Sequence, residues 1–381
     1  MKVNKSVVAV AAAVMTFAAA SCGKKKKEAA SAPPASTVAD LALSSTLNLS
    51  IPDKLAAASG GTAATTLNLA EELNLAGKKS SEACRTMETV SQVLDQLKEI
   101  GVNFCHFEVE SENLKFGTKY NIKMTGGSRT LAESDSMGIW VDNSDTAKLK
   151  VYMCRNGILN QQISISDFAS AGKAKGSMNT LHSGTGRDGV STYEGGVNIT
   201  FDLTQAGLKI VNANMKHKNT GGSHAGEFRN SADISLADTG VSVVKMTSKG
   251  SRGSDTMSDQ AAVRFNGTFG QALFSGTGSS GGYTYDYSSA STFGADGITV
   301  AKTSAPSDVL VEAADLPVKL ADDFSPTTPT GWDCQTTETL TIDMTVASKK
   351  AAHDACNTDH RRTFTSCWGD DFEQGTHEAK K

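Results

Sequence analysis

Beyond residue 21 the chain has no run of about 18 apolar residues, the length a membrane-crossing helix needs, so no spanning helix is expected in the mature protein. Aromatic residues make up 6% of the sequence, which is poor material for the aromatic girdles of a transmembrane β-barrel. Basic charge is not in excess either. Lys and Arg total 37 against 41 Asp and Glu, a formal net charge of −4, and with no basic stripe nucleic acid is not an expected partner. No nucleophile, base and orienting group stand together in adjacent sequence, so neither a catalytic set nor a cofactor is expected.

What is present begins with an export signal. Lys2 and Lys5 form a basic start, Val7 to Ala20 is an uncharged apolar run, and small residues lead to Ser21 and Cys22. Losing Lys2 and Lys5 with that segment takes the formal charge from −4 to −6. The rival reading is ordinary cleavage after Ala18, Ala19 and Ala20.

The tetrad Ala19, Ala20, Ser21 and Cys22 resembles the lipobox of bacterial lipoproteins, with Ala19 standing where leucine is usual. The resemblance covers only the signal region. It implies cleavage before Cys22 and acylation of that residue with palmitate-type chains. More than one chain is needed for stable anchoring, and a tri-acylated Cys supplies them at about 0.8 kcal/mol per buried CH₂. Gly23 and Lys24 follow where an Asp would signal inner-membrane retention, which implies the outer membrane, with the face presented left open.

With Cys22 acylated, Cys84, Cys105, Cys154, Cys334, Cys356 and Cys367 remain, an even set suited to disulfides in an oxidising compartment. The expected pairs are Cys84 with Cys105 and Cys356 with Cys367. A competing pattern, His353, Cys356 and His360 on one helical face with Cys367, would suit zinc. Oxidation of the thiols is the preferred reading, so no metal is expected.

Residues 22–66 read as an acylated Cys followed by a flexible tether of Ala, Ser, Thr, Lys and Pro, spanning roughly 35 to 40 Å as a random coil. Lys24 to Lys27 sit beside the anchor, either against anionic headgroups or as a solvated run. Residues 67–303 follow as one domain and 304–381 as a Cys-containing region packed on it. In the first, Met87, Val90, Leu94, Leu97 and Ile100 recur at steps of three and four, predicting a helix over 81–100 that Gly101 ends.

From about residue 113 the period changes to two. Tyr193, Val197, Ile199 and Phe201 alternate with polar residues, as do Phe228, Ala232, Ile234 and Leu236. Short turns, among them Asn266-Gly267, alternate with longer Gly-rich tips at 184–189, 219–226, 248–254 and 276–282. This order predicts a large antiparallel up-and-down meander, about nine strands over 173–303 and four over 113–168, forming a curved or barrel-like sheet. A packed N-terminal helix and a disulfide-stapled C-terminal region complete a mainly β fold. A transmembrane barrel is the structural rival.

One stretch repeats. Leu181, Ser183, Gly184, Thr185, Gly186, Gly189, Thr192 and Tyr193 recur 92 positions later, from Leu273 to Tyr285, which suggests duplicated hairpins. Both copies contain Gly-x-Gly-x-x-Gly, but with strand pattern on either side the loop lacks the helix that a nucleotide site requires. Tyr283, Tyr285 and Tyr287 share one side of one strand, for packing or for stacking on sugars or protein. Asp370-Asp371 with Trp368 and Glu373 reads as an acidic surface cluster.

Functionally, the chain reads as a lipid-anchored envelope protein and non-catalytic interaction module. Its partner would be another envelope or cell-surface protein, met through the Gly-rich tips at Gly184, Gly189, Gly221, Gly226, Gly276 and Gly281. The alternatives are a carrier of lipid or another hydrophobic ligand in the sheet's curve, and an enzyme acting on envelope polymer.

Overall fold

The computed structural model describes residues 79–80, 93–126, 136–167, 173–185, 189–221, 225–294, 307–317, 325–357 and 372–373, apart from positions 94, 95, 98 and 146. The signal, the tether, Cys84, His360, Cys367, Trp368 and Asp370-Asp371 lie outside the described residues.

Strand β1 (Lys79–Ser80) pairs in parallel with β15 (Phe372–Glu373). The main body is a sheet of 13 strands. Four come first: β2 (Lys119–Thr125), β3 (Met137–Asp142), β4 (Leu149–Arg155) and β5 (Ile158–Ser166). Eight longer ones follow: β6 (Lys175–Thr185), β7 (Thr192–Asp202), β8 (Leu208–Thr220), β9 (Gly226–Ala237), β10 (Ser242–Arg252), β11 (Asp255–Phe265), β12 (Gly270–Ser280) and β13 (Tyr283–Phe293). Each pairs antiparallel with the next, and β14 (Glu338–Asp343) returns to lie parallel to β2. The sheet is curved, with β13 and β14 as its two edges rather than a closing pair.

Turn chemistry explains the meander, and relocates its strongest sign. Asn156 and Gly157 have φ of 52° and 74° and link β4 to β5 as a two-residue turn with both φ values positive, the arrangement that matches strand twist. Asn266-Gly267 instead begins a four-residue connection, in which Asn266 Oδ1 accepts from the backbone N–H groups of Thr268 and Phe269. At the β7 to β8 turn, Asp202 accepts from both the hydroxyl and the backbone N–H of Thr204, which with Lys175 lowers its pKa to about 2. Eight strands lie between 175 and 293, slightly fewer and longer than the sequence suggests, because β6 and β12 run through glycines read there as loop tips.

One face of the sheet is the core. Phe201, Val211, Ile234, Val244, Val263 and Ala272 stand opposite one another on successive strands, all buried. Helix α1 packs on this core. It is helical at Val93, Gln96 and Leu97 and continuously over 99–109, so Gly101 does not end it. The reason is packing. Val93, Leu97, Ile100, Phe104 and Phe107 form a buried stripe that crosses Gly101, and burial at about 2 kcal/mol per side chain outweighs the roughly 1 kcal/mol that glycine costs a helix.

The opposite face carries a row of polar side chains in register: Gln162, Asn179, Asn198, Asn214, Ser231, Thr247 and Gln260. Its alternation reads as a solvent face, yet two described parts of the C-terminal region, 311–317 and 325–330, lie on it as a strap. Side-chain amides hold the strap's backbone: Gln260 donates to the Pro317 carbonyl, while Asn198 and Gln162 accept from the N–H groups of Thr327 and Thr330. Farther along, Trp332 meets Trp140 edge to face, and Trp140 stacks on Tyr152 at 4.8 Å between centroids.

Two disulfides fasten the C-terminal region. Cys154 bonds Cys334 beneath the strap, and Cys105 of α1 bonds Cys356 of helix α2 (Ala347–Asn357). The pairings expected from sequence, Cys84 with Cys105 and Cys356 with Cys367, are therefore corrected: α1 and α2 lie side by side, so the partner of Cys105 is 251 residues away rather than across one helix. A bridge of this span constrains the unfolded chain strongly. Non-reducing peptide mapping is expected to recover both linked pairs, and Cys154→Ala with Cys334→Ala to cost about 2–5 kcal/mol in denaturant unfolding. A peptide joining Cys105 to Cys84 would contradict the fold.

Candidate functional site

The eight long strands end at the Gly-rich tips, and there the core face stops being buried. Following one row across the sheet, His182 faces Gly195, Gly195 faces His217, and His217 faces Phe228. Phe228 faces Gly250, Gly250 faces Met257, Met257 faces Gly278, and Gly278 faces Tyr285. Rings and a thioether thus stand among glycines, with His217 and Phe228 the one directly paired couple of rings. Tyr193, two positions along β7 from Gly195, is paired with Gly184, and Tyr287 of β13 with Gly276.

The glycines are there for the rings. A Cβ on Gly278 would lie 2.5 Å from Cζ of Tyr285, and one on Gly276 2.6 Å from Cζ of Tyr287. The same holds for Gly184 under Tyr193 (2.6 Å to Cζ) and Gly250 under Phe228 (2.7 Å to Cδ1). Each ring therefore leans over the neighbouring strand and covers backbone that glycine leaves bare, which restores packing to a weak strand position. Neighbouring rings stay close to parallel. His182 and His217 are 5.9 Å apart at 24°, Tyr193 and His217 6.4 Å at 25°, and Tyr285 and Tyr287 6.1 Å at 28°.

The band is polar at one margin and open at the other. Asp259 is buried, accepting from the Tyr287 hydroxyl and, at 3.5 Å, from that of Ser248. Toward the tips exposure rises, with Tyr193 and Phe228 each 37% accessible, Tyr285 46% and Tyr283 80%. Burial, with neighbouring His217 second, holds the pKa of His182 below its usual range.

The six glycines singled out from sequence fall into different places. Gly189, Gly221 and Gly281 have positive φ of 70°, 82° and 58° and shape turns. Gly184 and Gly276 lie inside β6 and β12 beneath tyrosines, and Gly226 starts β9. Of these, Gly276 and Gly281 share strand β12 and its turn, whereas Gly184 is six strands away. Tyr283, Tyr285 and Tyr287 do share one face, as their spacing indicates. His182, His217, Phe228 and Met257 join them only through register, and no local motif marks them.

The repeated stretch also acquires a structural meaning. Gly184 pairs with Tyr193, yet their counterparts Gly276 and Tyr285 are not paired: Tyr285 faces Gly278 instead. The second hairpin closes through Gly281 and Gly282 alone, both with positive φ, and this tighter turn shifts its register by two. A two-residue shift keeps every ring on the same face.

A second, separate cluster joins α1 to α2. Glu110 is buried and accepts from Lys349 Nζ at 3.0 Å and Asn113 Nδ2 at 3.3 Å, with His353 Nε2 3.0 Å away. His353 Nδ1 lies 2.8 Å from His106 Nδ1. With its Nε2–H donated to the carboxylate, His353 is placed to accept at Nδ1 from the Nδ1–H of His106. His353, considered for zinc from sequence, is thus spent on Glu110 and His106, and Cys356 on Cys105. Among the described residues no group of three or more His, Cys, Asp or Glu is arranged to hold a metal ion.

Protein-family models, curated proteins and solved structures were each searched with this chain, and none matched.

Burial works hardest on the Glu110 carboxyl and opposes its charge, but hydrogen bonds from His353, Lys349 and Asn113 together outweigh it, so its pKa sits below the ordinary 4.5. A carboxyl depressed on folding stabilises the protein above its unfolded value, and that contribution is lost as pH falls through the folded one. Melting temperature is accordingly expected to drop as pH is taken from about 5 to about 3. Glu110→Gln is expected to flatten that slope and to cost about 3 kcal/mol near neutrality, read by calorimetry. An unchanged slope in the variant would remove Glu110 from the account.

Proposed function

We propose that this chain is a lipid-anchored protein of the bacterial outer membrane that works as a non-catalytic binding module, meeting an envelope or cell-surface partner at the tip end of its sheet. The observation that carries this reading is the gradient along the core face. Rows near the short turns are buried, while Tyr193, Phe228, Tyr285 and Tyr283 are left partly open at the far end, next to the tips. Surface rings held on a rigid sheet are suited to recognition, since little side-chain freedom is lost when they are covered.

A carrier of hydrophobic ligand would need room beneath α1. Leu97, Ile100 and Phe104 are wholly buried there in one cluster with Ile163, Met178 and Ile199, so the space under the helix is taken up by side chains. The open rings lie elsewhere.

The experiment is in vivo photo-cross-linking from position 283, with 310 as a control position on the other part of the surface, where Leu310 is 44% accessible. Adducts are expected from 283 and not from 310, and to disappear in the Phe228→Ala, Tyr285→Ala double variant. Adducts that persist in that variant would reject the binding face. For the anchor, Cys22→Ala is expected to move the protein from the membrane to the soluble fraction, with loss of metabolic palmitate label; a labelled, membrane-bound variant would reject acylation at Cys22.

A further inference from the structure

We infer that the ring band is a stacking platform for a neutral linear polysaccharide, an inference that rests on the binding-face reading above and names the partner's chemistry. Tyr285, Tyr287, Tyr193 and Phe228 do not stand up from the sheet as wedges but lean across glycines on the adjacent strand, at would-be Cβ separations that only glycine permits. A ring held low over the sheet in this way can offer a face to a ligand. Aromatic faces carry negative quadrupole charge, and the C–H bonds of a pyranose face are their natural complement.

The arrangement extends in one direction. From His182 on β6 to Tyr285 on β13 the row crosses eight strands at one register level, so it offers several stacking positions in a line. A linear chain of sugars meets such a line with successive residues. Adjacent near-parallel rings, such as Tyr285 and Tyr287 at 6.1 Å, supply neighbouring positions.

Charge and polarity agree. The row itself contains no carboxylate and no ammonium group, so nothing in it selects an anionic glycan or a phosphate. Hydrogen-bonding groups flank it on the same face, with Asn219 two positions from His217, Asn230 two positions from Phe228, Arg252 two from Gly250, and Asp255 and Asp259 two from Met257. Such groups suit sugar hydroxyls and are wasted on an acyl chain. A protein partner would be expected to bury an anchor residue in a pocket, whereas this face is paved.

The test uses the folded, unlipidated chain and defined probes: hexamers of β-linked glucose, of β-linked N-acetylglucosamine and of mannose, followed by titration calorimetry and tyrosine fluorescence. At least one hexamer is expected to bind saturably. Tyr285→Ala and Phe228→Ala should each weaken it about five- to tenfold, and Tyr285→Phe should leave it within about threefold, since the ring face is retained. Gly250→Ala is the sharper variant. It keeps every aromatic residue and its added Cβ meets only the side chains of Phe228 and Met257, so it lifts the Phe228 ring and is expected to weaken binding as much as Phe228→Ala does, with unchanged circular dichroism.

Absence of binding to all three hexamers would overturn the polysaccharide assignment, as would Gly250→Ala and Phe228→Ala both binding like the parent. Binding to phosphatidylethanolamine–phosphatidylglycerol vesicles that these variants abolish would overturn it in favour of lipid. The two levels fail separately. A protein adduct from position 283 with no glycan binding removes the polysaccharide and keeps the binding face, whereas adducts indifferent to the ring variants remove both.

Discussion

From β6 to β13 the strands keep one uninterrupted antiparallel register, and every other feature of the domain hangs on that continuity. Side chains alternate between faces with a period of two, so a slip of a single residue anywhere in the series would move all later rows to the wrong side. Without slippage, each level across the sheet keeps its own chemistry. Apolar levels meet α1, amide levels meet the strap, and ring and glycine levels meet one another near the tips.

The two covers of the sheet are held by different physics. On the core face the attachment is non-directional burial, with Leu97, Ile100 and Phe104 lodged among residues of many strands. On the other face it is directional, because Gln162, Asn198 and Gln260 hydrogen-bond strap backbone that would otherwise lie over a sheet without partners for its polar groups. The bridges Cys154–Cys334 and Cys105–Cys356 then fasten one cover each: the strap to β4, and α2 to α1. The Glu110, His353 and Lys349 cluster works at that second junction, where charge is buried only because three donors surround one carboxylate.

Glycine serves the sheet in two opposite ways. At Gly281 and Gly282 it supplies the positive φ that a two-residue hairpin needs, while at Gly278 and Gly276 it sits in regular strand and simply makes room for a ring. Sequence composition treats these alike, which is why glycines under Tyr193 and Tyr287 read as loop tips. Once the strands are laid side by side, the distinction is plain.

Local pattern was enough to reveal a mainly β meander, the apolar faces of the strands through Phe201 and Ile234, several of the turns and the helix stripe through Leu97 and Ile100, because alternation and turn preference are properties of neighbouring residues. It was also enough to place Tyr283, Tyr285 and Tyr287 together. The pairing of Cys105 with Cys356, the extension of α1 past Gly101, the strap over the amide row and the meeting of His217, Phe228 and Tyr285 were decided by tertiary structure. Each joins residues far apart in the chain, and their distance in space is set by the summed lengths of every turn between them and by burial that no single segment contains.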